Sequence, residues 1–534
     1  MDRTLLLGLD GATFSILDPL MRDGTMPFLR QLAAGGARAE LLSTLNPLTP
    51  PAWVSMTTGR SPGHHGVFDF IWAEERQGQV YFTLNTFRDI MCETIWSLVS
   101  RQQGTVCALN FPILSPPPTV AGVIVPGLVS WRHLRRNIHP RGAFERLQAI
   151  PGFDPKAMAW DFDLEKQVET GVPEDQYEQF ITFHIRRERQ WFEVLRTLMR
   201  DRPADLTAIV FDGVDKLQHI GWRFLDPACA PAAPSEWERR LRALCLDYFR
   251  QLDGFLADIV SLAGPNARVF IASDHGFGPT RDVFRLNTWL HSRGYLTWKD
   301  VNTADEKAKE SITRLIERHF VLLEWDRTTA YARTTTSNGI YIRVANRLGE
   351  TGVPAADYPR FRDQLSAELR SIRHPVTGRP IIRDVLPREA AFPGRQNGRA
   401  PDLTLVLWDH GFASIRDRSP IICPRPVVEG THYPEGVFLA AGPGIRSGAD
   451  LGQLSILDVA PCLLRSLGVP VPEDLEGQVP GGLFDAVFSA ARPTERGVPT
   501  LAPATAGVPD EASALTVEEE ETVFRQLRAL GYIE

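Results

Sequence analysis

The chain has 534 residues, of which 58 are basic and 65 acidic, so its formal net charge at pH 7 is -7. Its length exceeds the roughly 250 to 300 residues at which single hydrophobic cores stop growing, which predicts one large decorated domain or two domains. Because no run of Lys or Arg forms a basic patch, the composition argues against long polynucleotides as partners.

The N-terminus leads directly into a short apolar run, Leu5 to Leu9. This run is too short for a signal peptide or a membrane span, so we interpret it as the first buried strand. The six cysteines show no Cys-x-x-Cys spacing, which argues against a disulfide framework and suits a reducing compartment. The sequence therefore predicts a cytoplasmic protein without a membrane span.

Short apolar runs predict strands that are buried on both faces, at residues 4 to 9, 105 to 110, 122 to 126, 206 to 211, 268 to 272, 403 to 407 and 437 to 441. The clearest helical pattern spans residues 235 to 263 and stops at Gly264-Pro265, directly before one of these strands. This alternation predicts an α/β fold, with a doubly wound, mostly parallel sheet and helices on both faces. Ligands then bind at the carboxyl ends of the strands.

Two charged stretches, 127 to 205 and 280 to 400, fit the alternation poorly, and we interpret them as cap insertions within a catalytic domain of residues 1 to 485. Residues 486 to 512 are rich in Ala, Pro and Thr and predict a flexible linker. A tail helix follows in residues 513 to 534, where a capping-box pattern precedes an apolar stripe. We expect this stripe to dock on the core or on a second copy of the chain.

Acidic residues follow three of the predicted strands: Asp10, then Asp212 and Asp215, then Asp274 beside His275. A single carboxylate in such a position is usually a turn former or a helix cap. Asp215 and His219 are four residues apart, which places both side chains on one helix face. Mixed carboxylate and imidazole ligands favour zinc or manganese. His432, in a Gly-rich segment, could equally be a loop histidine bonded to the backbone.

Thr49 precedes Pro50 and Pro51 and a helical stretch that ends at Gly59. The pattern predicts a helix with Thr49 as its N-cap and Pro50 at the first helical position. A plain capping threonine accounts for this pattern. A helix N-terminus also binds phosphate, however, and a hydroxyl placed there beside a metal ion could act as a nucleophile.

Five motifs occur in the order typical of the alkaline phosphatase superfamily: Leu7-Gly8-Leu9-Asp10-Gly11, Thr49-Pro50-Pro51-Ala52-Trp53, Asp215-Lys216-Leu217-Gln218-His219, Ser273-Asp274-His275-Gly276 and Gly430-Thr431-His432. Over about residues 4 to 480 the chain resembles this superfamily, nearest its type I phosphodiesterase and nucleotide pyrophosphatase branch. It is most similar to bacterial members described only as predicted phosphohydrolases or phosphomutases.

The resemblance implies two divalent metal ions, most simply zinc, with manganese as the alternative. It assigns one metal to Asp215, His219 and His432, and the other to Asp10, Asp274 and His275. It also implies that Thr49 is both a metal ligand and the nucleophile, forming a phospho-threonine intermediate. Asp212 is then a bystander. The implied substrate is a small phosphodiester or pyrophosphate-type ester.

One position departs from the family pattern. Nucleotide pyrophosphatases carry an Asn three residues after the nucleophile to hold a phosphate oxygen, and this chain has Ala52. Lys216 or Asn110 could make that contact, although Lys216 also fits a solvated surface charge and Asn110 a turn residue. His64 and His65 are assigned to a structural turn.

Competing interpretations remain at this stage. A phosphomonoesterase or phosphomutase could use the same metal site. A non-catalytic protein that binds a phosphorylated ligand could keep the fold, although such relatives usually lose at least one site residue. Sulfate esters are disfavoured because the Cys-x-Pro-x-Arg signature of sulfatases is absent around Thr49.

Overall fold

The computed structural model describes residues 3–76, 79–159, 174–299, 323–334, 336–345, 350–415 and 419–501. Its main sheet has eight strands, which we number in chain order: β1 (Thr4–Leu9), β2 (Ala37–Leu42), β3 (Val106–Leu109), β4 (Gly122–Val125), β5 (Leu206–Phe211), β6 (Arg268–Ala272), β7 (Glu435–Ala441) and β8 (Ala449–Ser455).

The spatial order of these strands is β8-β2-β7-β6-β1-β5-β3-β4. Strand β7 is antiparallel to both of its neighbours, and the other pairings in the sheet are parallel. This arrangement confirms the predicted mostly parallel α/β fold. The strands β2 and β8 have no counterpart among the apolar runs of the sequence.

The helices of the described residues are Phe14–Arg22, Pro27–Gly35, Thr49–Thr58, Pro62–His65, Ile95–Arg101, Ala143–Gln148, Pro155–Met158, Glu174–Asp201, Gly213–Leu225, Glu236–Ala263, Leu286–Ser292, Tyr358–Arg370, Arg388–Ala391, Val459–Leu467 and Ala486–Ala491. The longest predicted helix is present as Glu236–Ala263, and Ser235 closes a capping box with Glu238 at its start. No helix in these described ranges is both long and apolar enough to cross a membrane.

Helices cover both faces of the sheet, because alternate side chains of each strand point to opposite sides. In β1, Leu5, Leu7 and Leu9 pack into one apolar layer, with helices that include Glu174–Asp201 and Glu236–Ala263. Leu6 points into the other layer, with the helices Thr49–Thr58 and Val459–Leu467. The sheet is therefore doubly wound.

A second sheet, here called the cap sheet, consists of the strands Ala330–Ala332, Gly339–Ile342, Ile382–Pro387 and Leu403–Leu407. It has its own apolar core, which also contains Leu48, Phe70 and Ile71 from the main domain. The predicted strand at 403 to 407 thus belongs to the cap sheet and not to the main sheet. Two-stranded ladders complete the fold: Gly276–Phe284 with Ile422–Tyr433, Ile71–Arg76 with Gln79–Leu84, Val344–Ala345 with Val353–Pro354, and Val471–Pro472 with Arg496–Gly497.

Two segments differ from their expected organisation. The helix Glu174–Asp201 lies inside the stretch 127 to 205 but packs directly on the main core through side chains such as Trp191 and Leu195. The first part of the expected linker forms the helix Ala486–Ala491 and a short strand, and Phe488 is buried. The tail helix predicted at 513 to 534 and the rest of the linker, from residue 502, lie outside the described residues.

Candidate functional site

Three neighbouring strands bring acidic residues to one edge of the sheet. Strand β1 lies between β5 and β6, with Leu9 opposite Phe211 and Gly8 opposite Ala272. Asp10 directly follows β1, and Asp274 lies just beyond β6. Asp215 lies in the first turn of the helix that follows β5. Because parallel strands share their carboxyl edge, these three carboxylates meet there.

The first group of donor atoms comprises Asp215, His219 and His432. Nε2 of His432 lies 3.1 Å from Oδ1 of Asp215, and Nε2 of His219 lies 3.4 Å from the same oxygen. The two Nε2 atoms are 3.1 Å apart. Ligands about 2.0–2.1 Å from a tetrahedral zinc ion lie roughly 3.3 Å from one another, so this triangle has the dimensions of a metal site.

The second group comprises Asp10, Asp274 and His275, all buried. Nε2 of His275 lies 3.3 Å from Oδ2 of Asp274 and 3.6 Å from Oδ1 of Asp10. Thr49 Oγ1 is 3.4 Å from the same nitrogen. The rings of His275 and His432 stack with their centroids 3.7 Å apart, so the two groups of donor atoms are adjacent.

Backbone carbonyls determine which nitrogen of each buried histidine faces the site. The Nδ1–H of His432 donates to the carbonyl of Pro47 at 2.9 Å, and that of His275 donates to the carbonyl of Gly276 at 3.1 Å. Both Nε2 atoms therefore present lone pairs to the site, which is the orientation that a ligating histidine needs. Burial lowers the pKa of both imidazoles, which keeps them neutral.

Each carboxylate of the second group has one oxygen held by the protein and one without a donor. Trp53 Nε1 donates to Oδ2 of Asp10 at 3.2 Å, and Gly11 N donates to Oδ1 of Asp274 at 3.0 Å. Asp10 Oδ1 and Asp274 Oδ2 are buried, have no hydrogen-bond partner among the described residues and face His275. A lone pair facing an anionic oxygen is repulsive unless a cation or a proton lies between them.

Asp215 repeats this pattern with a different partner. Its Oδ2 lies 3.1 Å from Nζ of Lys216, while Oδ1 is buried without a hydrogen-bond donor in the described part of the chain and faces the two histidines. Burial alone would raise the pKa of Asp215, but the Lys216 ammonium and the neighbouring histidines together outweigh burial, and the pKa lies well below its ordinary value. Asp215 is therefore an anion.

Burial raises the pKa of Asp10 well above its usual range, and the charges of Asp274 and Asp215 raise it further. Burial likewise raises the pKa of Asp274, although the hydrogen bond from Gly11 opposes the shift. Crowded carboxylates of this kind are stabilised as anions by a bound cation. The orphaned oxygens and the histidine lone pairs thus fit two divalent metal ions.

Thr49 is the first residue of its helix, and Leu48 occupies the N-cap position. The predicted N-cap role of Thr49 is therefore wrong, because the chain enters the helix one residue earlier. The hydroxyl of Thr49 contacts His275 instead of closing the helix end. Trp53, one turn further along, reaches Asp10 from the same helix face. Its ring covers Gly8, where a Cβ atom would lie 2.4 Å from the indole.

A cavity of about 320 Å³ opens beside Thr49, and Asn110 and Lys216 are among its lining residues. The surface interpretation of Lys216 is wrong, because its side chain is only 4% exposed. Asn110 has a φ of 62° and donates from Nδ2 to the carbonyl of Val210, so it is a turn residue that also borders the cavity. Ala52 is fully buried within its helix.

The remaining candidates have structural partners. Asp212 forms a buried ion pair with Arg187. Burial alone would raise the pKa of Asp212, but the charge and hydrogen bond of Arg187, together with the charge of Lys216, lower it. Nε2 of His65 lies 2.9 Å from Ser55 Oγ, and its Nδ1 accepts from Val67 N at 3.1 Å, whereas His64 lies at an ion-pairing distance from Glu476.

Sequence reasoning missed Trp53 and Arg187 as supports of the site. The four-residue spacing between Thr49 and Trp53 could have revealed the first. Arg187 lies within a stretch that resembles an insertion, so no local signal connects it to the strand end at Asp212.

These features define the class of the protein, an α/β fold with two adjacent groups of candidate metal ligands at the carboxyl edge of its main sheet. Residues 4–434 match the family model of type I phosphodiesterase / nucleotide pyrophosphatase. The chain therefore belongs to that family. No curated protein sequence matches it.

Solved structures with the same fold include an inactive variant of murine ectonucleotide pyrophosphatase / phosphodiesterase 5 in complex with AMP. It is 13% identical with a TM-score of 0.50, and the match covers 88% of this chain and 96% of the murine chain. Phosphonoacetate hydrolase from Sinorhizobium meliloti 1021 in complex with phosphonoformate is 15% identical with a TM-score of 0.52, and the match covers 87% and 95% of the two chains. At these identities the likeness shows the fold.

Proposed function

We propose that this protein is a two-metal phosphohydrolase that cleaves a small phosphodiester or pyrophosphate-type ester, with Thr49 as its nucleophile. Family membership supports the reaction class. The observation that carries the proposal is the position of Thr49 Oγ1, which lies 3.4 Å from Nε2 of His275. His275 belongs to the same group of donor atoms as Asp10 and Asp274.

One metal would be held by Asp215, His219 and His432, and the other by Asp10, Asp274, His275 and Thr49. When bound, such ions stabilise negative charge on the attacking and leaving oxygens of an in-line displacement. The mixed nitrogen and oxygen donors favour zinc, with manganese as the alternative.

The protein's own groups position the ester and supply the nucleophile. Pro50 and Pro51 carry no N–H, so it is the positive end of the dipole of the helix Thr49–Thr58 that favours an anionic phosphoryl group near Thr49. Thr49 Oγ1 forms a bond to phosphorus while the bond from phosphorus to the leaving oxygen breaks, and the hydroxyl proton passes to that oxygen. With a diester, this step yields a phospho-threonine that keeps the second ester group. Water then attacks phosphorus, the bond from phosphorus to Oγ1 breaks, a proton of the water returns to Thr49, and a phosphate monoester is released.

Lys216 and Asn110 border the cavity beside Thr49, and we assign them to the remaining phosphoryl oxygens. They would replace the Asn that nucleotide pyrophosphatases carry where this chain has Ala52. Because this chain has Ala52 at that position, a second candidate function remains, which is a phosphomonoesterase or phosphomutase that uses the same metal site. A non-catalytic protein that binds a phosphorylated ligand is disfavoured, because all seven proposed metal and nucleophile residues are present.

The test compares initial rates of the zinc-loaded protein on bis(4-nitrophenyl) phosphate and on 4-nitrophenyl phosphate, with Thr49→Ala as the matched control. Acid-quenched samples are analysed by peptide mass spectrometry for a modified Thr49, which carries a 4-nitrophenyl phosphate group after reaction with the diester and a phosphate group after reaction with the monoester. Faster diester cleavage with labelled Thr49 supports the proposal. Faster monoester cleavage favours the second candidate, and binding of both esters without any turnover favours the non-catalytic protein.

A further inference from the structure

A second pocket, here called the junction pocket, lies where the cap sheet meets the main domain. The space between its lining residues is about 400 Å³, including the part that is open to solvent. Its lining includes Trp72 and Asn85 from the main domain, Arg333 and Tyr341 from the cap sheet region, and Arg399. None of these residues belongs to the two groups of donor atoms or to the cavity beside Thr49.

Two arginines of this pocket are held against aromatic rings. Cζ of Arg399 lies 4.0 Å from the centroid of the Trp72 ring, and Cζ of Arg333 lies 3.6 Å from that of Tyr341. A guanidinium stacked on a ring keeps its N–H groups in its own plane, where they can donate side by side to a carboxylate or a phosphate. Arg333 also donates from Nε and Nη2 to the hydroxyl of Tyr331, at 3.3 and 3.2 Å, so both guanidinium groups are held in fixed positions beside the pocket.

Backbone contacts with the main domain fix the position of Arg399. It ends a short turn, Asn397–Arg399, whose preceding residue Gln396 donates from its backbone N–H to the carbonyl of Gly63 at 2.7 Å. The backbone N–H of Arg399 donates to the carbonyl of Gln396 at 3.1 Å. The guanidinium thus extends from an anchored turn.

The opposite side of the pocket is fixed by Asp69. Its carboxylate accepts hydrogen bonds from the hydroxyls of Thr334 at 2.7 Å and Thr336 at 3.0 Å. The backbone N–H of Phe70 donates to it as well, at 2.6 Å. Neutral donors from the cap and from the main domain therefore bind the same carboxylate. Thr334, which directly follows Arg333, is thereby hydrogen-bonded to the main domain.

Other arginines near the cap sheet have carboxylate partners. Arg362 pairs with Glu389 at 3.0 Å, and Arg388 pairs with Asp402. Across the described residues Arg399 takes part in no ion pair, although it lines a pocket with a second arginine. Asp69 also lines this pocket, but its oxygens already accept from hydroxyl and N–H groups. Two cations therefore face one carboxylate, which leaves a net positive charge that an external anion would neutralise.

We propose that the junction pocket binds a small molecule carrying a phosphate or a carboxylate group between Arg333 and Arg399, in addition to the ester at Thr49. Asn85 and Ser337 line the same pocket and offer neutral polar contacts to the rest of the ligand.

Calorimetric titration of the metal-loaded, full-length protein with inorganic phosphate tests the proposal. The wild type should bind phosphate at two sites, and Arg399→Gln should weaken one of them at least tenfold. Arg395→Gln is the matched control, because Arg395 is an exposed arginine of the same segment outside the junction pocket, and it should retain both sites. A parallel titration with malonate distinguishes a carboxylate ligand from a phosphate.

One phosphate site in the wild type with no malonate binding, or two sites that Arg399→Gln leaves unchanged, would overturn the proposal. Arg333→Gln provides a second variant if Arg399→Gln melts far below the wild type. Turnover of bis(4-nitrophenyl) phosphate is measured on the same samples. A protein without turnover that still shows the Arg399-dependent site would refute the proposed function and leave this inference standing.

Discussion

Two regions of the molecule bury carboxylates from water, and they differ in what surrounds the oxygens. At the core–cap junction, both oxygens of Asp69 accept from hydroxyl groups or a backbone N–H. At the sheet edge, Asp10, Asp215 and Asp274 each leave one buried oxygen without a donor, facing a histidine Nε2. All the oxygens of the first arrangement have donors within the protein, whereas the second leaves oxygens that fit bound cations.

Asp212 shows that nearness to the site does not by itself make a carboxylate a candidate metal ligand. It lies three residues before Asp215 at the end of the same strand, yet Arg187 neutralises it. The partner that the tertiary structure supplies therefore distinguishes a carboxylate in an ion pair from a candidate metal ligand.

The largest effect should come from removing the cations that the sheet-edge group needs. Chelation should reduce phosphoester turnover to background, and zinc or manganese should restore it. Metal content by mass spectrometry and turnover on the same samples provide the measurement. His432→Ala should lose the metal of the Asp215 group first. Full turnover by metal-free protein would refute the two-metal site.

Replacing Thr49, the proposed nucleophile, should abolish catalysis without removing the metal ligands. We expect Thr49→Ala to lower turnover by about 10⁴-fold or more, while folding and metal content stay nearly unchanged, because the carboxylates and histidines remain. Thr49→Ser is the conservative control and should retain measurable turnover. Rates in Thr49→Ala close to those of the wild type would contradict the nucleophile assignment.

A matched pair of substitutions compares the two acidic residues that follow strand β5. Asp215→Asn should lose about one equivalent of metal, while Asp212→Asn should keep both and destabilise the fold by about 3–5 kcal/mol, because Arg187 loses its buried partner. Burial, and after it the charge of Asp212, raises the pKa of Glu188. Because Asp212→Asn removes that charge, Glu188 should ionise beside Arg187, and the destabilisation should fall at the low end of this range. Denaturant unfolding and metal analysis test both variants. Metal loss in Asp212→Asn would contradict the assignment of Asp212 to the ion pair with Arg187.

The smallest effect concerns the satisfied carboxylate. Burial raises the pKa of Asp69 to about 6. Between the ordinary carboxyl pKa and this value, the folded state holds a proton that the unfolded state has released, so the stability that Asp69 contributes is present below about pH 4 and is lost as pH rises through 6. The loss should amount to about 3 kcal/mol.

Urea unfolding of wild-type and Asp69→Asn proteins at several pH values between 4 and 7.5 measures this contribution. The variant has no proton to lose at this position, so its stability should fall less steeply with pH than that of the wild type. Equal pH dependence in the two proteins would show that Asp69 does not titrate in this window.

Much of the fold could be predicted from local patterns. All seven apolar runs form strands, and the long periodic segment forms the helix Glu236–Ala263, because burial on both faces requires continuous apolar residues and a helix requires its own period. Strand β2 was missed because buried and half-buried residues alternate along it, and β8 because it is a largely polar strand at the sheet edge. The run at 403 to 407 correctly predicts a strand but cannot show which sheet contains it.

The sequence by itself also determined the types of candidate residues at the site, since Asp10, Asp274 and His275 follow apolar strands and Asp215 and His219 share a helix face. Only the tertiary structure decided their geometry. His432 reaches the site because the strand Ile422–Tyr433 pairs with Gly276–Phe284, and Lys216 is buried because its helix packs against that ladder. Such contacts join residues distant along the chain, and their free energy depends on how whole elements pack, which no local pattern encodes.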